Sequence, residues 1–344
     1  MKTHPSLNAA RGLFLAASMS SLAPAAAAAS ALAANDVEDV AGEDAEDSEA
    51  NEEDQFAASS QPALPARSAT SGWRIDPGLQ LRARAITAEA SVRAEDEAID
   101  GTAFAFIAIP TLSVINDDTT VTLRNITTRL EFQDEGRTDR WQNTARLTGA
   151  YNLAPSTTIA VFAERSDNTL LAEFGSTDEW ELGARIEQRL DAANRVRLGA
   201  SWRERTYDDS TNSRGSGLRV DGEYRYRFAR NQYAFVRARY DSIASDNVRR
   251  ELDRWLVEAS YQHPLAPDLR VRSEFSYQRL DFTGRTLAGG GVRQDDLLWP
   301  ELTLIYSPGA WTIAAEARYV VRNSTDTDFD RSGYRFELEI SHAF

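Results

Sequence analysis

From Trp73 to the C-terminus, apolar and polar residues alternate along the chain. The final segment sets Tyr334, Phe336, Leu338, Ile340, His342 and Phe344 on one face, and Arg335, Glu337, Glu339 and Ser341 on the other. Leu218, Val220, Gly222, Tyr224, Tyr226 and Phe228 alternate with Arg219, Asp221, Glu223, Arg225 and Arg227 in the same way. So do Trp311, Ile313, Ala315, Ala317, Tyr319 and Val321 with Glu316, Arg318 and Arg322. A period of two sustained this long predicts strands, and no stretch carries a helical stripe. The pattern predicts 14 of them, at about 79–86, 103–115, 120–132, 140–152, 157–166, 178–190, 194–205, 217–228, 233–241, 252–263, 269–280, 296–307, 311–322 and 333–344.

Three features separate a membrane barrel from a soluble sheet. The strands reach the length of a tilted transmembrane strand, roughly 9–11 residues. Aromatics bound the apolar face at two levels: Trp141, Trp180, Trp202, Trp255, Tyr277 and Tyr319 at one, and Tyr151, Phe228, Tyr261, Tyr306, Trp311 and Phe344 at the other. Two girdles are what two lipid interfaces select. The opposite face is too densely charged for a sandwich core to bury. Short turns (NDDT, NLAPS, DAAN, ARNQ, PLAPD, SPGA) also alternate with longer polar connections such as YDDSTNSRGSG and NSTDTDFDRS. The expected fold is all-β, a single transmembrane antiparallel up-and-down β-barrel of about 14 strands over 73–344. The first three strands are the weakest, and TVTLRNITTRLEF changes face near Asn125, which predicts a bulge. A 12-strand barrel with an N-terminal plug is the structural alternative.

The first 72 residues read differently. Lys2 and Arg11 precede the apolar run from Gly12 and an Ala-rich stretch ending Ala31, Leu32, Ala33, which describes a secretory signal peptide over 1–33. Residues 34–72 form an acidic segment followed by an Ala/Ser/Pro-rich linker. The 11 acidic residues between 36 and 54 come with no aromatic, so disorder is expected there. Beyond residue 70 the chain holds 35 Arg against 42 Asp and Glu, a net charge of −7, compared with −15 for the whole chain.

The closing strand YRFELEISHAF, ending in Phe344, resembles the C-terminal assembly signal of Gram-negative outer-membrane β-barrel proteins. Its outward positions Tyr334, Phe336, Leu338, Ile340 and Phe344 carry the likeness. The resemblance implies an outer-membrane location with both termini periplasmic. It also implies contact with outer-membrane lipid and lipopolysaccharide, and delivery by the barrel-assembly machinery. Within that class, 14 strands are found among monomeric porins, fatty-acid channels and the barrels of surface lipoprotein assembly modifiers. The tetratricopeptide helices that usually precede the last of these are absent here.

Composition removes much chemistry. With no Cys there is no disulfide, thiolate metal site or cysteine nucleophile. Lys2 is the only lysine, so a P-loop or Schiff-base lysine is missing from the exported chain. The acidic balance argues against nucleic acid as a partner. Of three histidines, His4 lies in the signal peptide, His263 beside Pro264 in an expected turn, and His342 on the lipid face. That disfavours a His-dependent hydrolase. The pairs Glu337/Glu339 and Asp221/Glu223 lie among many Arg and read as ion-pairing carboxylates. Asp326, Asp328 and Asp330 lack the spacing of a calcium loop. Gly289, Gly290 and Gly291 lack the lysine of a phosphate loop. No enzyme activity, metal or other cofactor is expected.

Alternation places about 21 Arg and about 11 carboxylates on the inner face. The inner Arg expected to carry transport are Arg146, Arg185, Arg197, Arg203, Arg225, Arg227, Arg237, Arg239, Arg272 and Arg318. Such a lumen concentrates anions, so the expected function is a porin-like channel for small hydrophilic, anionic solutes. Two other readings stay open: the barrel of a surface lipoprotein assembly modifier, and a non-conducting structural barrel filled by Arg–Glu ladders. Insertion of the acidic segment into the lumen as a gate, or its use as a solubilising tether, is also left open, as is homo-oligomerisation.

Overall fold

A computed structural model describes residues 72–89, 101–133, 138–171, 175–208 and 212–344. The expected signal peptide and acidic segment lie outside the described residues. The strands are β1 (Arg74–Ala88), β2 (Gly101–Ile115), β3 (Thr119–Phe132), β4 (Arg140–Ala154), β5 (Thr157–Leu171), β6 (Gly175–Arg189) and β7 (Asn194–Tyr207). They continue as β8 (Arg214–Ala229), β9 (Gln232–Ser245), β10 (Leu252–Ala266), β11 (Leu269–Thr286), β12 (Val292–Tyr306), β13 (Trp311–Ser324) and β14 (Arg331–Ala343). Each pairs antiparallel with its sequence neighbours, and β1 pairs with β14 to close the barrel. The chain is thus a closed 14-strand up-and-down barrel, and the 12-strand alternative falls away.

Short connections gather at one rim, where β1 begins and β14 ends. In the turn after β6, Asp191 accepts hydrogen bonds from the backbone N–H of Ala193 (2.7 Å) and Asn194 (2.8 Å). These bonds favour the ionised form and hold its carboxyl below the usual carboxylate range. At the opposite, loop-side rim the strands run on past the expected ends. β11 and β12 continue to Thr286 and Val292, so much of the expected loop is paired ladder. One-turn 3-10 helices, Val248–Arg250 and Thr327–Phe329, cap two of these hairpins.

Outward side chains are apolar through the middle of the wall, as Leu182, Leu198, Val236, Leu302 and Leu338 illustrate. Exposed aromatics ring both edges: Trp141, Trp180, Trp202 and Trp255 toward the loops, and Tyr151, Phe228, Tyr306 and Trp311 toward the turns. Charges pointed outward at midplane would cost about 2–4 kcal/mol each in lipid. Outward charges appear instead beyond the loop-side girdle, where Arg165 pairs with Asp167 and Asp178, and Arg129 with Asp139.

That zoning corrects the expectation at Asn125. The β2–β3 register is the same on both sides of it, from Thr111↔Arg124 to Ala108↔Thr127, so there is no bulge. The change of pattern arises because β3 leaves the apolar zone. Its outward residues become polar (Thr127, Arg129), while its inward ones become apolar (Ile126, Leu130). Register shifts lie elsewhere, for example between Ser166 and Thr169, where Asn168 has φ 57°.

Candidate functional site

The interior is assembled by register. Side chains two apart on a strand share a face, and antiparallel pairing sets inward residues of neighbouring strands side by side. On β6–β10 one such row reads Glu187, Arg197, Glu223, Arg237, Glu258, with the charge alternating at every step. Glu223 accepts from Arg197 at 2.7 Å and Arg237 at 2.9 Å, and Arg237 reaches Glu258 at 3.3 Å. Toward the loop side, Asp241 is a hub, accepting from Arg203 (2.9 Å), Arg219 (2.5 Å) and Arg254 (2.7 Å). Arg203 also grips Glu179 with two parallel bonds, 2.8 and 2.9 Å, and Arg205 binds the same carboxylate. Bidentate pairing of this kind adds orientation to charge.

The β12–β1 arc repeats the theme. Arg318 binds Glu301 (2.9 Å) and Glu316 (3.0 Å), and Arg84 binds Glu339 (2.7 Å) and Glu337 (3.1 Å). Near the loop rim Asp295 joins Arg293 and Arg322, and Phe329, from the 3-10 turn above, lies 3.4 Å from the Arg293 guanidinium. On β4–β6, Arg146 pairs with Glu164 and stacks on Phe162 at 3.8 Å. That ring lies over Gly183, where a Cβ would come within 2.4 Å of it.

All ten Arg expected to carry transport fall on inward positions. Arg237 is about 1% exposed, whereas Arg227 opens to solvent at the turn rim. The inner Arg are not evenly spread. β7 turns Arg195, Arg197, Arg203 and Arg205 inward and no carboxylate. β8 turns Arg219, Arg225 and Arg227 inward against Asp221 and Glu223. Sequence reasoning missed Asp241 as the hub, although it is in phase with Arg237 and Arg239 and the signal was present.

The remaining candidates resolve into structural roles. Glu337 and Glu339 are both held by Arg84. Asp326 and Asp330 accept backbone N–H groups around the Thr327–Phe329 turn. Gly290 and Gly291, both at φ 85°, supply the positive φ of the β11–β12 turn. His263 is within β10 and not in a turn, because Pro264 still pairs with Arg270; its ring faces outward against Tyr261. His342 packs between Trp311 and Phe344. The outward residues of the closing strand, Tyr334, Phe336, Leu338, Ile340 and Phe344, are all exposed.

Two apolar clusters interrupt the charged interior on the loop side. One joins Ile86, Ala103, Ala105, Ile107, Ile109 and Leu130 on β1–β3. The other joins Leu171, Tyr207, Leu256, Leu280, Phe282, Leu297 and Trp299. On the loop side the interior therefore sets apolar patches beside the ion-paired groups of Asp241 and Asp295. Chemically the inward guanidinium groups can hold anions through charge and paired N–H donors.

No protein-family model matches this chain, and no curated protein does. Among solved structures, the outer membrane channel DcaP of Acinetobacter baumannii superposes over 81% of this chain and 99% of its own, at 13% identity and a TM-score of 0.52. A bacterial polysaccharide outer membrane secretin covers 77% of this chain and 98% of its own, at 12% identity and a TM-score of 0.48. The likeness to DcaP concerns the fold alone.

Proposed function

We propose that this chain is an outer-membrane barrel whose Arg-rich interior passes small hydrophilic anions, and that it is not an enzyme. The observation that carries the reading is the inner wall of β6–β8, where β7 turns four Arg and no carboxylate inward and the register sets Arg189, Arg195 and Arg225 side by side. Fixed guanidinium groups in a narrow polar passage raise the local anion concentration and repel cations. The two aromatic girdles and the fold shared with the DcaP channel support the location. In this reading both termini lie on the periplasmic side, at the rim of the short turns. The exposed apolar residues of β14 are offered to lipid, lipopolysaccharide and the assembly machinery.

The apolar clusters favour a second reading, a closed structural barrel, because dry patches in a lumen oppose ion passage. Planar-bilayer recording of the refolded chain separates the two. Steady openings support the channel. A silent barrel that still migrates as a folded, heat-modifiable species contradicts it, provided the form lacking residues 34–70 is silent too.

A further inference from the structure

One row of the interior breaks the charge alternation. Directly toward the turns from Glu187–Arg197–Glu223, the register sets Arg189, Arg195 and Arg225 side by side on β6, β7 and β8. Like charges placed directly opposite across a sheet are destabilising. The carboxylates nearest the row are shared with other Arg. Arg195 lies 3.5 Å from Glu187 and Arg225 3.5 Å from Glu223, and Glu223 is also held by Arg197 at 2.7 Å and Arg237 at 2.9 Å. The next turn's carboxylate, Asp191, is spent on its own backbone N–H groups.

We propose that Arg189, Arg195 and Arg225 form a binding site for a small oxyanion, a phosphate or carboxylate group, at the turn-side mouth. The site names the solute class for the channel reading and rests on it for the solute's route, but not for binding. Its position suits arrival from solution, since Arg189 is exposed and Arg195 and Arg225 are half-buried. Its chemistry suits a planar or tetrahedral oxyanion better than chloride. Guanidinium donors lie in a fixed fork that matches two oxygens at once. The Arg225 guanidinium rests over Tyr233 at 4.9 Å and Phe235 at 5.7 Å. Stacking takes up the face of the group and leaves its N–H donors directed along its plane.

The test is calorimetric titration of the refolded full-length chain in detergent with inorganic phosphate and, separately, with succinate. Chloride at matched ionic strength is the control. Oxyanion binding is expected to weaken roughly tenfold or more in Arg195→Gln and in Arg225→Gln. It should be unchanged in Arg279→Gln, whose side chain is outward and paired with Asp281. Arg195→Lys and Arg225→Lys keep the charge and lose the fork, so they should bind with intermediate affinity, and they serve if a Gln variant does not refold. Binding of only one of the two probes assigns the group and supports the site. Absence of oxyanion binding, or binding indifferent to Arg195 and Arg225, overturns it. A barrel that binds phosphate at this row but passes no current overturns the channel reading alone. An anion-selective barrel whose oxyanion binding ignores Arg195 and Arg225 overturns this inference alone.

Discussion

The loop-side half of β1–β3 and the wall of β6–β9 sit in the same barrel with the same lipid-facing exterior, yet their inner faces are opposites. On the first, Ile86, Ala103, Ile107 and Leu130 make a dry patch. On the second, guanidinium and carboxylate groups interlock, and Asp241 alone serves three Arg. The exterior is dictated by lipid and is uniform. The interior answers only to local pairing, and so it can vary from strand to strand. Stability on the apolar side comes from area removed from water and degrades gradually as atoms are lost. On the charged side it depends on complete networks, because one missing partner leaves buried charges facing each other.

The sharpest way to break this contrast is Asp241→Ala. It leaves Arg203, Arg219 and Arg254 without their shared carboxylate and is expected to cost about 3–5 kcal/mol, seen as a lowered midpoint in urea unfolding. A variant as stable as the parent would mean that the charged wall is not a network. On the apolar wall, Ile107→Val removes one methylene and should cost about 0.5–1.5 kcal/mol by the same assay. A loss matching that of Asp241→Ala would erase the distinction. The smallest effect belongs to neither wall. Asp191→Ala at the β6–β7 turn removes an exposed carboxylate with a depressed pKa, so its contribution is present above the ordinary Asp pKa and lost as pH falls through the lowered value. The midpoints of Asp191→Ala and the parent should differ slightly at neutral pH and converge in acid.

The same contrast explains what was legible from sequence. Strands such as β8, β13 and β14 are apolar outside and charged inside, so alternation reveals both the strand and its orientation. β2 is apolar on both faces, Phe104 and Phe106 outward and Ala103, Ala105 and Ile107 inward, so its period is blurred. β3 loses its pattern at Asn125 because it crosses from lipid to the polar rim. The inward placement of the Arg could be read because lipid forbids the other face. The pairing of each Arg could not, since it depends on register between strands that alternation leaves unspecified. The Asp241 hub and the Arg189–Arg195–Arg225 row both arise from that register.

The central claim is that excess guanidinium on the β6–β9 wall makes the interior an anion path. Its most direct test is the reversal potential of the refolded full-length chain under a KCl gradient. The account predicts a potential displaced toward the chloride equilibrium value. A displacement toward the potassium value would contradict it.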